Sequence, residues 1–277
     1  MNTLRFVRKL LRNKLATIGG LIVLFFLVIA VLSSPLAQYD PMEQHLDAVL
    51  QKPSGQYWLG TDELGRDIMT RVLCGARTSL IIGLLVILIG GTLGVMIGSI
   101  SGYCGGLLDV AIMRIMDTVM AFPTLLLSLL FVTIIGIGLE GAVFSVALAS
   151  LPRFARLTRG SVLSVKEKEY VEAAHVIGQS HIKILMKHIL PNCLAPIIVL
   201  STLTIGNSIL IVSGLGFLGL GAKPGAAEWG VMLSNARGFL RSAPHVAMFP
   251  GVAIALTVLG FNLLGDGIRD VFDVRQE

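Results

Sequence analysis

His175, His181 and His188 are the histidines that crowd closest together in this 277-residue chain, and imidazoles are common metal ligands. Their spacings of six and seven residues do not stack them on adjacent turns of one helix, so they read as solvated or packing side chains. Cys74, Cys104 and Cys193 show no C-x-x-C spacing and lie beside three different apolar segments. That argues against a zinc site or disulfide framework and leaves ordinary packing. Gly214-Leu-Gly-Phe-Leu-Gly219 spells the dinucleotide pattern, but it ends an apolar stretch with no βαβ unit around it, and it reads as a bend. The chain has no Gly-Lys dipeptide, hence no phosphate-binding lysine of the Walker A type, and no H-E-x-x-H. No uncharged stretch carries a histidine or an acid pair fit for proton relay or intramembrane proteolysis. The expectation is a chain without catalytic residues, metal or bound cofactor.

The elements around these residues are apolar. Hydrophobic residues make up 54% and charged residues 14% of the chain, against about 25% charged in soluble domains, and mean hydropathy is +0.82. A bilayer accepts such a surface and water does not. The net charge of +5 comes from bases lying between apolar stretches rather than clustered with aromatics, so no nucleic acid is expected. Arg5, Arg8, Lys9, Arg12 and Lys14 precede a run whose core, Ala16 to Ser33, is long enough to span; Ser33-Ser34-Pro35 is a poor cleavage site, so the span reads as uncleaved. Asp40 to Arg77 reads as an external loop, Thr78 to Leu108 as the second apolar stretch, and Thr118 to Pro152 as two spans turning near Gly136, Gly138 and Gly141. The second of these is expected to run past Pro152 into the basic internal segment Arg153 to His188. Pro191 to Ala222, a loop from Lys223 to His245, a last span from Val246 to Leu264 and a charged tail complete the reading. Six spans with both ends inside place fifteen of the 22 bases internally and seven externally, in line with the positive-inside rule. A re-entrant piece within Pro191 to Ala222 is the alternative, and a second crossing there would reverse the C-terminus.

Two patterns stand out. Gly90, Gly94, Gly98 and Gly102 fall at spacing four on one helix face, a ridge against which another helix can lie closely. The segment from Tyr170 to Pro191 places small Ala173 and Ala174 beside Glu172, then Gly178, then Ile182, Leu185, Met186 and Ile189 at helical spacing. With Pro191 suited to a first helical turn, this predicts two short helices joined at Gly178 at the internal membrane face. A plain amphipathic surface helix would also fit.

Glu172, Ala173, Ala174, Gly178, Leu190 and Pro191 stand at the positions of the EAA loop, so the segment, opened by Tyr170, resembles that loop in permease subunits of bacterial binding-protein-dependent ABC importers. His188 stands where many members carry an aliphatic residue, a departure common in the peptide branch. Trp58-Leu-Gly-Thr-Asp62-Glu-Leu-Gly65-Arg66-Asp67, Arg71, Gly75-Ala-Arg77, Asp109, Arg114, Asp117, Phe217 to Gly221, Glu228-Trp229-Gly230 and Asn262 to Asp266 narrow the similarity to the C-type subunit of dipeptide, oligopeptide and nickel importers, over nearly the whole chain. The resemblance implies an all-α membrane protein of the type I importer fold with six transmembrane helices and cytoplasmic termini. It divides the chain into an N-terminal region, 1–75, a permease domain, 76–265, holding the coupling loop at about 164–191, and a tail, 266–277. It implies a multi-pass subunit of the bacterial inner membrane, working beside a homologous second permease, two ABC ATPase subunits that carry ATP and magnesium, and an extracytoplasmic solute-binding protein. The coupling loop would dock on an ATPase, and Trp58, Asp62, Gly65, Arg66, Asp67, Glu228 and Trp229 would face the binding protein or gate the pathway. The implied cargo is peptides, with nickel, a nickel chelate or glutathione as alternatives. A secondary transporter or a membrane scaffold are the readings from other classes.

Overall fold

In a computed structural model, residues 10–273 can be described, and among them the chain is all helical, without β-strands. Arg5, Arg8 and Lys9 at one end, and Arg275 and Glu277 at the other, lie outside the described residues.

Helix α1 (Lys14–Leu36) starts on Asn13, whose side chain accepts from the Leu15 and Ala16 amides. The same side chain donates through Nδ2 to Asp270 Oδ2 at 2.8 Å, tying the start of α1 to the end of the last helix, α11 (His245–Asp273). The two helices lie close because small residues line the seam. A Cβ on Gly19 would stand 2.5 Å from the Leu264 amide, and one on Gly267 2.2 Å from the Ala16 side chain. The tail expected from residue 266 is therefore helical through Asp273.

Helix α2 (Ile68–Val86) passes through a π-turn, Ile87–Gly91, into α3 (Thr92–Cys104). The loop after α1 is thus shorter than charge counting predicts, since Ile68 to Arg77 is helical. Asp67 caps the helix by accepting from the Thr70 amide at 2.7 Å, and Arg71, a charge that reads as loop, is buried.

The second uncharged stretch also ends early: α3 stops at Cys104 and α4 (Gly106–Met120) begins two residues later. Helix α5 (Thr124–Ile135) follows α4 at a bend of 98°. Pro123 sits at that corner, lacking an amide to donate and forcing Phe122 off the helical path. The span expected to begin at Thr118 is therefore this bent pair. After a turn at Gly136 to Gly138, α6 (Leu139–Lys166) runs straight through Pro152, as the sequence predicts.

Helix α9 (Leu190–Phe217) is continuous, so Pro191 to Ala222 holds no second crossing. The loop expected from Lys223 to His245 contains a further helix, α10 (Trp229–Ala236), with a buried inner face. Among the described residues four helical stretches are long and apolar enough to span a bilayer: Lys14–Leu36, Ile68–Cys104, His181–Phe217 and His245–Phe272. The bent pair α4 and α5 makes a fifth if its two helices count as one span.

The glycine ridge faces α6. A Cβ would come within 2.3 Å of the Ala147 carbonyl oxygen at Gly90, 2.6 Å of Leu151 O at Gly94, 2.2 Å of Ala155 O at Gly98 and 3.0 Å of Arg159 O at Gly102. Acceptors four apart on α6 meet glycines four apart on the other helix, so the backbones touch along about three turns.

Candidate coupling site

The segment from Tyr170 to Pro191 folds as two short helices that reverse direction on a single glycine. Helix α7 (Glu169–Val176) ends in a Schellman motif: the Gly178 amide donates to His175 O at 3.0 Å and the Gln179 amide to Ala174 O at 3.1 Å. Gly178 takes φ +76°, which a side chain disfavours. Helix α8 (His181–Ile184) then leads through a π-turn, Leu185–Ile189, into α9, with Pro191 in its first turn where a missing amide costs nothing.

The inner side of this hairpin is apolar and buried. Val171, Ala174, Ile184 and Ile189 pack with Val162 of α6 and with Cys193 and Ile197 of α9. Its outer side is apolar as well, yet exposed: Val176, 82% accessible, stands with Ile177, Ile182 and Met186 around the turn. Tyr170, Glu172 and Ala173 are exposed beside them, and Glu172 makes no ion pair among the described residues. His188 is half-buried with its Nε2 2.9 Å from Gln179 Oε1, bridging the two arms; Leu190 is half-buried and Pro191 exposed. A capped turn with an unpartnered apolar crest and loose charges can dock into a groove on another chain.

Reading the histidines by helical spacing separates His175 from His181, but the reversal at Gly178 brings their rings to 5.5 Å. Among the described residues no group of three or more side chains is placed to hold a metal. Cys193 is buried in packing as expected, whereas Cys104 is exposed, because α3 ends there and presents its last residue outward.

The residues around Asp62 and Glu228 are arranged differently. Arg66 and Arg71, each 1% accessible, share Asp62: Arg66 Nε donates to Asp62 Oδ2 at 2.7 Å and Arg71 Nε lies 3.4 Å from it. Arg66 also donates to Glu63 Oε1 at 2.8 Å, which accepts from Asn235 Nδ2 at 3.0 Å. Arg71 donates to the carbonyls of Pro41, Gly225 and Ala226 at 2.8, 3.1 and 3.0 Å. Gly65, at φ +73°, lies where the His45 carbonyl leaves no room for a Cβ. Trp229 is buried, fills the space left by the missing side chain of Gly75, and donates to Val72 O at 3.0 Å. Glu228 caps α10 by accepting from Gly230 and Val231, both at 2.9 Å. Burial pushes its carboxyl above the usual range although these amides and Ser213 oppose the shift. Of the seven residues expected to face a binding protein or gate the pathway, Asp62, Gly65, Arg66, Asp67, Glu228 and Trp229 are thus buried parts of a lock between residues 40–72 and 225–235; Trp58, 65% accessible, faces outward. Sequence reasoning missed the lock because its partners lie more than 150 residues apart.

These two ends belong to a helical frame that solved structures share. A chain from the inward-facing methionine ABC transporter MetNI matches with a TM-score of 0.56 at 19% identity, covering 74% of this chain and 97% of that one. A chain from an amino acid ABC transporter crystallised with histidines matches at 0.54 and 17% identity, covering 75% and 94%. The model of binding-protein-dependent transport system inner membrane components matches residues 94–277. The chain belongs to that family. The model for the N-terminal transmembrane domain of oligopeptide transport permease C covers residues 3–53 of this inner-membrane component. Among curated relatives, the dipeptide transport system permease protein DppC of Alkalihalophilus pseudofirmus is 44% identical over 98% of this chain and 89% of its own length. The glutathione transport system permease protein GsiD of Pectobacterium atrosepticum is 45% identical over 97% and 89%.

Proposed function

We propose that this chain is one of two homologous permease subunits of an ATP-driven importer of short peptides. The observation that carries the coupling part is the exposed apolar crest at Val176, Ile177, Ile182 and Met186, rigidly turned at Gly178 and seated on the spans by Val171, Ala174, Ile184 and Ile189. Such a crest fits a groove on each of two ATPase subunits only as a pair of permeases, one crest per ATPase. ATP and magnesium are held on those partners, and a solute-binding protein delivers cargo to the external face around Trp58. Six crossings with both ends inside follow if the bent pair counts as one and α6 as another, with its three arginines near the internal end. The relatives' names support a peptide cargo, and glutathione, itself a tripeptide, falls within that class.

Transport proceeds by alternating access. ATPase closure binds ATP more tightly in one state of the spans than the other, and that difference drives the exchange of internal for external opening. The test is uptake of labelled dialanine and labelled glutathione into proteoliposomes holding the complete complex with binding protein. Uptake requires internal ATP, and Gly178→Pro abolishes it, because proline cannot adopt φ +76°. Uptake that persists without ATP indicates a secondary transporter, and absence of flux for either cargo removes the peptide assignment.

A further inference from the structure

Tyr103 is the next-to-last residue of α3, one position after the end of the glycine ridge. Its hydroxyl lies 2.8 Å from His181 Nδ1, at the first residue of α8. Its ring stacks on His175 of α7 at a centroid distance of 6.5 Å and an interplanar angle of 19°, and meets the His181 ring edge-on at 5.8 Å. From the end of α6, Lys166 Nζ donates to the Tyr103 carbonyl at 2.7 Å and sits 5.4 Å from the ring centroid. One half-buried side chain thus touches both arms of the coupling hairpin and the end of α6. We propose that Tyr103 is a positioning residue that couples the hairpin directly to α3, so that movement of the turn is passed to the ridge and through it to α6. The inference rests on the coupling reading given above.

Two kinds of contact hold the hairpin in place. The buried apolar side of the hairpin holds it to the membrane face, but apolar packing has no preferred direction and tolerates sliding. A hydrogen bond weakens steeply with angle and fixes orientation. Among the described residues, Tyr103 to His181 is the one side-chain hydrogen bond joining residues 169–184 to a helix outside the loop. A cavity of about 550 Å³ lined by Ile100, Tyr103, Cys104, His181, Ile182 and Leu185 lies beside it. Packing on that side therefore does not wedge α8 against α3, and the bond is not duplicated. Once the hydroxyl is lost the hairpin can tilt into this space, and displacement is spent on tilt instead of on α3.

Tyr103→Phe keeps the ring, the stacking and the carbonyl acceptor while removing the hydroxyl. Nitroxides at Lys183 of α8 and Met96 of α3, both exposed and outside the crest and the cavity, report in the full complex whether hairpin and helix move together. In the wild type the distance between them is the same in the nucleotide-free and ATP-trapped states; in Tyr103→Phe it differs between the two states and its distribution broadens. In proteoliposomes the ATP hydrolysed per solute delivered rises about fivefold, the factor carried by one neutral hydrogen bond, while maximal hydrolysis and subunit stoichiometry hold. His181→Leu gives the same change and adds nothing to Tyr103→Phe, whereas His181→Asn, which keeps an acceptor near Nδ1, restores wild-type coupling. Unchanged distances in Tyr103→Phe, or additive effects in the double variant, overturn the proposal. If Gly178→Pro abolishes uptake in the same preparations, only the role of Tyr103 falls; if it does not, the coupling reading falls with it.

Discussion

The lock around Asp62 and the hairpin at Gly178 both hold charges of both signs and treat them in opposite ways. In the lock, Arg66 and Arg71 are enclosed and held by directional bonds to the carboxylates of Asp62 and Glu63 and the carbonyls of Pro41, Gly225 and Ala226. In the hairpin, Glu172, Lys183 and Lys187 are exposed, and seating is left to apolar side chains and one tyrosine. A buried ion pair gains little over apolar packing, but breaking it leaves an uncompensated charge, so it selects one arrangement and punishes others. Exposed charges on an apolar seat impose no such penalty. The lock holds one arrangement of its partners, and the hairpin carries no such constraint.

Substitutions should therefore separate stability from transport at one end and not at the other. The largest effect is expected from Asp62→Ala, which strips the shared carboxylate from two buried guanidinium groups. A loss of about 3–5 kcal/mol, seen as a lower melting temperature and poor yield of the assembled complex, is expected, with uptake falling in parallel. Next comes Gly98→Val, whose Cβ would overlap the Ala155 carbonyl; separation of α3 from α6 should cost about 1–3 kcal/mol or more by thermal unfolding in detergent. Smaller again is the pH effect of Glu228. Its carboxyl is raised in the folded chain, so its contribution is fully present below the ordinary carboxylate pKa and is lost as pH rises through the raised value. The melting temperature should fall across that window in the wild type and less steeply in Glu228→Gln, despite the lost capping bond. The smallest stability change, within about 0.5 kcal/mol, is expected for the exposed Glu172→Gln, while uptake at fixed ATP hydrolysis drops; loss of stability and uptake together would erase the contrast between the two ends.

Much of the frame can be read from the residues alone. The uncharged run from Ala16 to Ser33 lies within α1, the reversal at Gly178 follows from its place between two apolar patterns, and α6 continues through Pro152 because a basic stretch can carry a helix beyond the bilayer. What escapes is set by distant partners. Charge at Arg71 suggests a loop until the carbonyls of Gly225 and Ala226 are seen to receive it, and the same contacts hide α10 inside an apparently open loop. Pro123 marks a break but not its angle, which depends on what α4 and α5 pack against. Tyr103 has a legible signal, an aromatic residue closing a glycine ridge at the membrane face, but its partners come together only after the hairpin folds back.

The π-turn at Ile87–Gly91 has a further consequence. Each residue added to a helix turns everything beyond it by about 100°, so a π-turn acts as a phase shift between the two halves of one long rod. Above it, Ala76 and Leu80 of α2 belong to the cluster that includes Phe26 of α1, Ile209 of α9 and Phe261 of α11; below it, the glycines of α3 belong to α6. The rod joins two faces of contact, one toward α1 and α11 and one toward α6, and Ile82 and Val86 at the end of α2 already reach Val143 and Val146 of α6. Deleting one residue between 87 and 91 would leave composition and length nearly untouched and yet turn these two faces out of phase, so that the glycine ridge and the α2 contacts could not both engage their neighbours.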